Sequence, residues 1–421
     1  MYSYIERWQR YFVAGILVIV LCMTFTNIPL PLAIIFGNWA AGLYIEQGIS
    51  AFLLVLQVYC LFKRKHSRYV YLFLAIVFWQ IAIYLAKGYG IRYVFQAFSH
   101  YGIFIIYLAW FEKGGWTRRG IIKVFLAAVS VNFLFVILEF LNVTSQLVDK
   151  YTIYGDLNTQ NGYRYTGLFI APGLLGFFST FMAIYGAADY KINRDYLGLL
   201  VCIIAIFLGV ASGNRSFILA AIFGLLTVYV WRPRFPNYKK TKRIYSTTMI
   251  VLAISLIMTP LFVYQDELQF ILDRFLWETL LTDIMYRTQG SAGFLPVLES
   301  LGTMSSIFGT TSIDPDFGHN RVLLDGASYS LSNSYAALLA TKGWLFGGAY
   351  LMLFIGALIK YRSFSKSCIY SELSIIGSSI YFGMLAASIF LLFDNLIEGI
   401  MMQAIVMLAY SRMWRQNQQG L

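Results

Sequence analysis

The sequence predicts an all-α polytopic membrane protein with about twelve transmembrane helices and one large loop late in the chain. Apolar residues make up 59% of the 421 positions, enough for twelve segments of the roughly 20 residues that cross a bilayer. Charged residues make up only 12%, about half the share of an ordinary soluble protein. This composition excludes a water-soluble globular protein, a disordered chain and a disulfide-rich secreted module.

The apolar runs, taken in chain order, form a single transmembrane domain over residues 1–421. The first and tenth runs are predicted to be broken helices, the first because it contains Pro29 and Pro31. The predicted spans are 12–35, 39–62, 69–86, 93–111, 124–143, 165–188, 197–211, 216–231, 246–264, 332–359, 374–394 and 396–411.

The basic residues predict which side of the membrane each loop faces. If both termini are cytoplasmic, 23 of the 32 Lys and Arg residues lie in cytoplasmic segments and nine lie outside or at outer span ends. Short cytoplasmic loops carry an excess of Lys and Arg, so this asymmetry favours twelve spans with both termini inside. The formal charge of +12 therefore marks cytoplasmic loops, and no nucleic-acid partner is predicted.

Two outer loops are longer than the others. The loop 144–163 is polar and rich in Asn, Gln and Tyr, and the loop 265–331 holds nine of the twenty acidic residues. At the start of the larger loop, Leu268, Ile271 and Phe275 share one face of a predicted helix. Such a helix would lie at the membrane surface with its apolar side down.

Three of the arginines at or near the outer ends of spans go against the usual side preference of basic residues: Arg164, Arg215 and Arg287. One interpretation is that each anchors a span by snorkelling to lipid headgroups. The other is that together they bind an anionic group, because the guanidinium fork matches phosphate geometry. A membrane-bound diphosphate is the external candidate, although charge alone does not specify it.

The end of the large loop carries the candidates for acid–base chemistry. His319 is the only histidine placed outside, and it is either a solvated loop residue or a base, since unperturbed imidazole has a pKa of about 6.5. A buried Asp325 carboxylate with a raised pKa could do the same work. Glu139, near the outer end of the fifth span, is also a functional suspect because acids within spans are costly to bury.

Several chemistries have no motif in this chain. The sequence contains no Walker-type loop, no dinucleotide glycine motif after a strand and no histidine pair at helical spacing. We therefore predict neither a cofactor nor a metal site. Aromatic side chains in outer loops, such as Tyr163, either stack on sugar rings or belong to an interfacial belt.

Four segments carry a family resemblance by their order and their placement on one membrane face. They are RYTGLFIAPG with Arg164, SGNRS with Arg215, DIMYRTQG with Arg287, and SNSYAALLATKG, which ends at Gly343. Their order resembles the superfamily of bacterial O-antigen polymerases and O-antigen ligases over roughly 160–360. The resemblance implies a GT-C-like glycosyltransferase of the bacterial inner membrane with a periplasmic active site.

The resemblance also implies the substrates and the partners. A glycan on undecaprenyl diphosphate would be transferred to another lipid-linked repeat unit, without a metal ion. The partners would be this oligosaccharide, membrane lipids, and the flippase and chain-length regulator of the same pathway. The three arginines would hold the diphosphate, His319 or Asp325 would act as the base, and Tyr163, Asn333 and Tyr335 would contact the glycan.

One departure from the family decides between its branches. Where the ligases carry a histidine before Asn, this chain has Ser332 before Asn333, which favours a polymerase. Two alternatives stay open: a ligase that joins the glycan to lipid A-core, and a transporter of lipid-linked sugars. Transporters usually show repeated halves and charged groups at mid-membrane, whereas the halves of this chain do not match.

We predict that 265–331 is periplasmic. Cysteines introduced by Ser291→Cys and Ser305→Cys, with the four native cysteines replaced, should react with a membrane-impermeant thiol reagent in cells whose outer membrane is permeabilised. Labelling that required lysis of the inner membrane would contradict the twelve-span topology.

Overall fold

The computed structural model of the protein describes eleven separate segments and single positions of the chain. They are 68–86, 117–141, 165–167, 169, 172–231, 307, 321–324, 327–330, 334–366, 371–392 and 400–410. This part of the chain is helical, as the sequence predicts, except for turns and one pair of short strands. Four of the predicted spans, 12–35, 39–62, 93–111 and 246–264, lie outside the described residues.

The described helices match eight of the predicted spans. They are α1 (Arg68–Ala86), α2 (Arg118–Phe140), α3 (Pro172–Asn193), α4 (Tyr196–Ala211), α5 (Arg215–Val230), α6 (Ser334–Ser365), α7 (Glu372–Phe390) and α8 (Ile400–Ala409). Three stretches are long and apolar enough to cross a membrane: α2, α7 and Lys342–Ser365 within α6. A membrane protein is therefore supported, while the count of twelve spans stays a prediction.

Two helix starts differ from the sequence prediction by six residues or more. Helix α2 begins at Arg118 rather than near 124, because Thr117 caps it by accepting a hydrogen bond from the Gly120 backbone N–H at 3.2 Å. Helix α3 begins at Pro172 rather than at 165. A turn with Gly167 at φ +58° precedes α3, and proline is preorganised for the first position of a helix.

Helix α6 is broken, as predicted for the tenth span. Gly343 has φ 70° and ψ 173°, so the helical path is interrupted there and resumes toward Ser365. A positive φ is available to glycine without steric cost, which explains why the break falls at this residue.

The chain divides into two compact units. The first comprises 1–46, 116–270 and 364–386, and the second comprises 47–115, 271–363 and 387–421. In the first unit α3 is central and is buried continuously from Leu175 to Lys191. Helices α3 and α4 approach closely, since a Cβ added at Gly186 would lie 2.6 Å from the Gly198 carbonyl oxygen. Small residues commonly allow such backbone contact in membrane helices.

Charged groups are paired where α2 begins, which we call the Arg118 end. The Arg118 guanidinium donates two hydrogen bonds to Asp189, at 2.7 and 2.6 Å, and lies 3.1 Å from Asp195. Lys191 donates from Nζ to the backbone oxygens of Tyr229 at 2.8 Å, of Val228 and of Trp231. These carbonyls end α5, where a cation is favoured by the helix dipole.

The second unit contains α1, α8 and the α6 residues up to 363. Tyrosine hydroxyls join its helices: Tyr361 donates to the Ile405 carbonyl at 2.8 Å, and Tyr410 donates to the Leu353 carbonyl at 2.7 Å. In this unit the tyrosine–backbone bonds give buried hydroxyls the partners that they need away from water.

The second unit also contains a strand pair that the sequence analysis did not predict. Strands β1 (Arg321–Leu324) and β2 (Ala327–Ser330) are antiparallel, with Leu324 paired to Ala327. The helical class holds for the rest of the described residues, and this strand pair is a short local exception within the 265–331 loop. The physical reason is Asp-Gly between the strands, a preferred two-residue hairpin connection. The predicted interfacial helix of this loop lies outside the described residues.

The pairing at the Arg118 end predicts a stability effect. Asp189→Ala leaves the buried Arg118 charge without its bidentate partner, which should cost roughly 3–5 kcal/mol. Thermal unfolding of the purified protein in detergent should show a lower midpoint than the parent protein. Combining Asp189→Leu with Arg118→Met should recover most of the loss, and Arg119→Ala, at an exposed neighbouring position, should change little. An unchanged midpoint in Asp189→Ala would contradict the pairing argument.

Candidate functional site

The described residues include two of the eight predicted site residues. Arg215 is the first residue of α5, and Tyr335 lies in the first turn of α6. The other six lie outside the described residues: Tyr163, Arg164, Arg287, His319, Asp325 and Asn333.

The segment that directly follows Arg164 is held by Glu139, at the end of α2. The Glu139 carboxylate accepts hydrogen bonds from the backbone N–H groups of Thr166 at 2.9 Å and Gly167 at 2.8 Å, and from the Thr166 hydroxyl at 2.7 Å. Hydrogen bonds to an ionised acceptor are roughly twice as strong as neutral ones. Glu139 therefore fixes a short non-helical segment, 165–167, between α2 and α3.

The same segment is attached to the end of α4. The Tyr165 backbone N–H donates to the carbonyl of Ala211, the last residue of α4, at 3.1 Å. A turn through Gly213 at φ +56° follows, and Asn214 caps α5 by accepting from the Ser216 backbone N–H at 2.9 Å. The segment after Arg164 and the turn before Arg215 are therefore joined directly, which brings two arginine-bearing segments of the sequence together.

The start of α5 carries partial positive charge. The N-terminus of a helix carries roughly half a positive charge from its aligned peptide dipoles. Arg215 stands at this terminus. The first turn of α5 therefore contributes partial positive charge from its backbone, which suits an anion.

The joined segments stand far from the Arg118 end. Residues 118 and 139 of α2 are 21 positions apart, which is about 31 Å at 1.5 Å per residue. The hydrocarbon core of a bilayer is about 30 Å thick. The Arg118 end is rich in basic residues, as expected of the cytoplasmic side. The Glu139 end of α2 would then lie at the outer surface, where the sequence analysis expects Arg164 and Arg215.

Tyr335 has a packing role in the described structure. Its hydroxyl donates to the Ser388 carbonyl at 3.1 Å, and its ring lies edge-on to Phe354 with 6.3 Å between centroids. The Ser334 backbone N–H also donates to the Leu391 carbonyl at 3.1 Å. These bonds hold the start of α6 against the end of α7, and the glycan contact of Tyr335 stays a prediction.

The β1–β2 hairpin belongs to the same loop as His319 and Asp325, the two candidates for the base. Asp325 is one of the two residues that connect the paired Leu324 and Ala327, so its residue type has an explanation in turn chemistry. At the open end of the hairpin Arg321 is paired with Ser330. His319 precedes this pair by two residues of sequence and Ser332 follows it by two.

The sequence marks Glu139 as an acid that needs an explanation, but it does not show which groups the carboxylate contacts. Its carboxylate accepts hydrogen bonds from a segment 27 residues further along the chain, and no local pattern predicts that contact.

Gly167 and Asn132 were not predicted as site residues either. A Cβ added at Gly167 would lie 3.1 Å from Asn132 Oδ1, and the Asn132 amide donates to the Ala128 carbonyl at 3.0 Å. Glycine in RYTG, before a helix-starting proline, was the available signal.

The described residues offer no cluster of the kind that binds a metal ion. Among them, no group of three or more His, Cys, Asp or Glu side chains is placed to hold one.

The conformation of Gly167 predicts the effect of a substitution at the site. Gly167→Ala places a Cβ at φ +58°, within 3.1 Å of Asn132, and the left-handed conformation alone should cost about 1–2 kcal/mol. The unfolding midpoint should fall in a thermal melt of the purified protein. Gly348→Ala is the matched control, because a Cβ at this helical position meets nothing within 4 Å, and it should be neutral or stabilising. Equal melts for both variants would contradict the argument.

No protein-family model matches this chain, and no curated protein matches it. Its assignment to a function therefore rests on the residues and the geometry described above.

Proposed function

We propose that this protein is a polysaccharide polymerase of the bacterial inner membrane. It would transfer a growing glycan from undecaprenyl diphosphate to another lipid-linked repeat unit at the periplasmic face. The observation that carries the proposal is the hydrogen bond between Tyr165 and Ala211. This bond joins the segment after Arg164 to the turn before Arg215, the two arginine segments that resemble those of O-antigen polymerases.

The reaction is a displacement at an anomeric carbon. A hydroxyl oxygen of the acceptor sugar forms the new C–O bond, and the bond between the anomeric carbon and the diphosphate oxygen breaks. The leaving diphosphate gains negative charge as this bond breaks, so fixed positive groups lower the barrier. Arg164 and Arg215 would supply that charge with the N-terminus of α5, and Arg287 would be a third partner.

The proton of the attacking hydroxyl needs an acceptor. A neutral imidazole held within hydrogen-bond reach is suited to this role near neutral pH. We assign it to His319, with Asp325 as the alternative, because Ser332 stands where the related ligases carry a histidine. His319 lies thirteen residues before Ser332 in the same loop, which supports this assignment.

The lipid part of the substrate needs an apolar path that begins at the diphosphate. Ile222, Phe223 and Leu226 are exposed apolar side chains on α5, within three turns of Arg215. Exposed apolar surface of this kind faces hydrocarbon in a membrane protein. A polyprenyl chain attached to a diphosphate near Arg215 could therefore extend along α5 in the bilayer.

The proposal predicts a result for a deletion strain complemented with arginine variants. The wild-type gene should restore long surface polysaccharide on a gel. Arg215→Ala should leave a single repeat on the lipid core, with an unchanged amount of protein in the membrane. Arg215→Lys should restore little, because lysine keeps the charge but loses the bidentate fork. Arg119→Ala, an exposed arginine at the Arg118 end, is the matched control and should restore the full pattern.

The same gel separates the alternatives. Undecaprenyl-linked long chains without attachment to lipid A-core in the deletion strain would indicate a ligase and contradict the polymerase proposal. Full-length polymer from the Arg215→Lys strain would contradict the bidentate argument, because simple charge would then suffice. Loss of all lipid-linked repeat units from the periplasmic face would indicate a transporter.

A further inference from the structure

The Glu139 carboxylate uses both of its oxygens on one short segment. Oε2 accepts the backbone N–H groups of Thr166 and Gly167, and Oε1 accepts the Thr166 hydroxyl. This carboxylate is partly buried near the end of a helix that is apolar enough to cross a membrane. An acid in that setting is costly to keep. Three donors on a neighbouring segment offset the cost and give the acid a specific role.

The segment that Glu139 holds is connected to α5 through the backbone. Residues 165–167 are held by Glu139 on one side, and the Tyr165 N–H is bonded to the Ala211 carbonyl on the other. Ala211 is the last residue of α4, and Arg215 is the first residue of α5 after a short capped turn. Glu139 is therefore connected by hydrogen bonds to the segment after Arg164 and, through that segment, to the turn before Arg215.

We propose that Glu139 is a positioning residue for the diphosphate site. It would set the spacing between the Arg164 and Arg215 segments through its three hydrogen bonds to Thr166 and Gly167 rather than by contact with the substrate. This inference rests on the proposed function, because it requires the two arginines to bind the diphosphate. Fixed spacing matters because misplacing a catalytic group by about 1 Å can cost roughly a hundredfold in rate.

A crosslinking experiment tests the positioning without using activity. Tyr165→Cys and Ala211→Cys are introduced with the native cysteines replaced, and disulfide formation is measured in membranes after mild oxidation. The backbone bond between these residues does not depend on their side chains, so it survives both substitutions. Adding Glu139→Gln, which offers one acceptor oxygen instead of two, should lower the yield roughly fivefold or more, the effect of losing about one hydrogen bond.

The matched control is an acid at the other end of the same unit. Glu372 accepts the backbone N–H of Arg118 at 3.2 Å, and Glu372→Gln should leave the yield of the 165–211 disulfide at the parent level. A parent-level yield in Glu139→Gln would overturn the positioning role, whatever the fate of the proposed function.

A double-mutant cycle separates positioning from a general loss of structure. Purified variants are assayed with lipid-linked repeat units. Glu139→Gln should lower kcat/KM about tenfold or more alone, and should add little in the presence of Arg164→Ala, because residues that act as a unit are not additive. Glu139→Asp, a shorter carboxylate, should recover part of the activity. A merely structural role would lower kcat/KM by the same factor with or without Arg164, and that result would overturn the proposal.

The failures of the two proposals are distinguishable. If the disulfide depends on Glu139 but Arg164→Ala and Arg215→Ala both retain full turnover, then the diphosphate assignment is wrong and Glu139 has no positioning role in the reaction. If both arginine variants are inactive but the disulfide forms without Glu139, the assignment of the arginines stands and only the role of Glu139 is overturned.

Discussion

Backbone polar groups that are shielded from water need hydrogen-bond partners, and this constraint governs the irregular segment near the Glu139 end of α2. The backbone N–H groups at 165–167 have no helix to satisfy them. Tyr165 bonds to the end of α4, while Thr166 and Gly167 bond to the Glu139 carboxylate. A non-helical segment can therefore stand between apolar helices because a distant acid supplies the acceptors.

The two ends of α2 meet this constraint in different ways. At the Arg118 end, Arg118 is paired with Asp189 and Asp195. Lys191 donates hydrogen bonds to the carbonyls that end α5. At the Glu139 end the carboxylate is bonded to backbone N–H and hydroxyl groups of a turn. The first arrangement anchors helices to each other, whereas the second fixes the path of a loop. Fixing a loop is what a site built from loop residues requires.

Close helix packing fixes the positions of the turns between helices. At the α4–α5 turn the Phe217 ring lies where a Cβ at Gly209 would be, 2.1 Å from the added atom. Helix α5 also contacts its neighbours at Gly224, where an added Cβ would lie 2.6 Å from the Ile184 side chain. Glycine at these positions lets the helices approach, and the approach fixes how α5 packs against α3 and α4. The position of α5 thus depends on residues that carry no functional group.

The amino-acid sequence determined the helical class, the positions of several helices and the break in α6. Apolar runs bounded by caps are local signals, so α4 and α5 begin within one residue of their predicted starts, at Asp195 and Asn214 caps. Only the tertiary structure decided which groups pair with Arg118 and what Glu139 does. Arg118 pairs with an acid 71 residues away, and Glu139 serves a turn 27 residues away. These contacts are made across helices rather than along one, so no periodicity in the sequence encodes them.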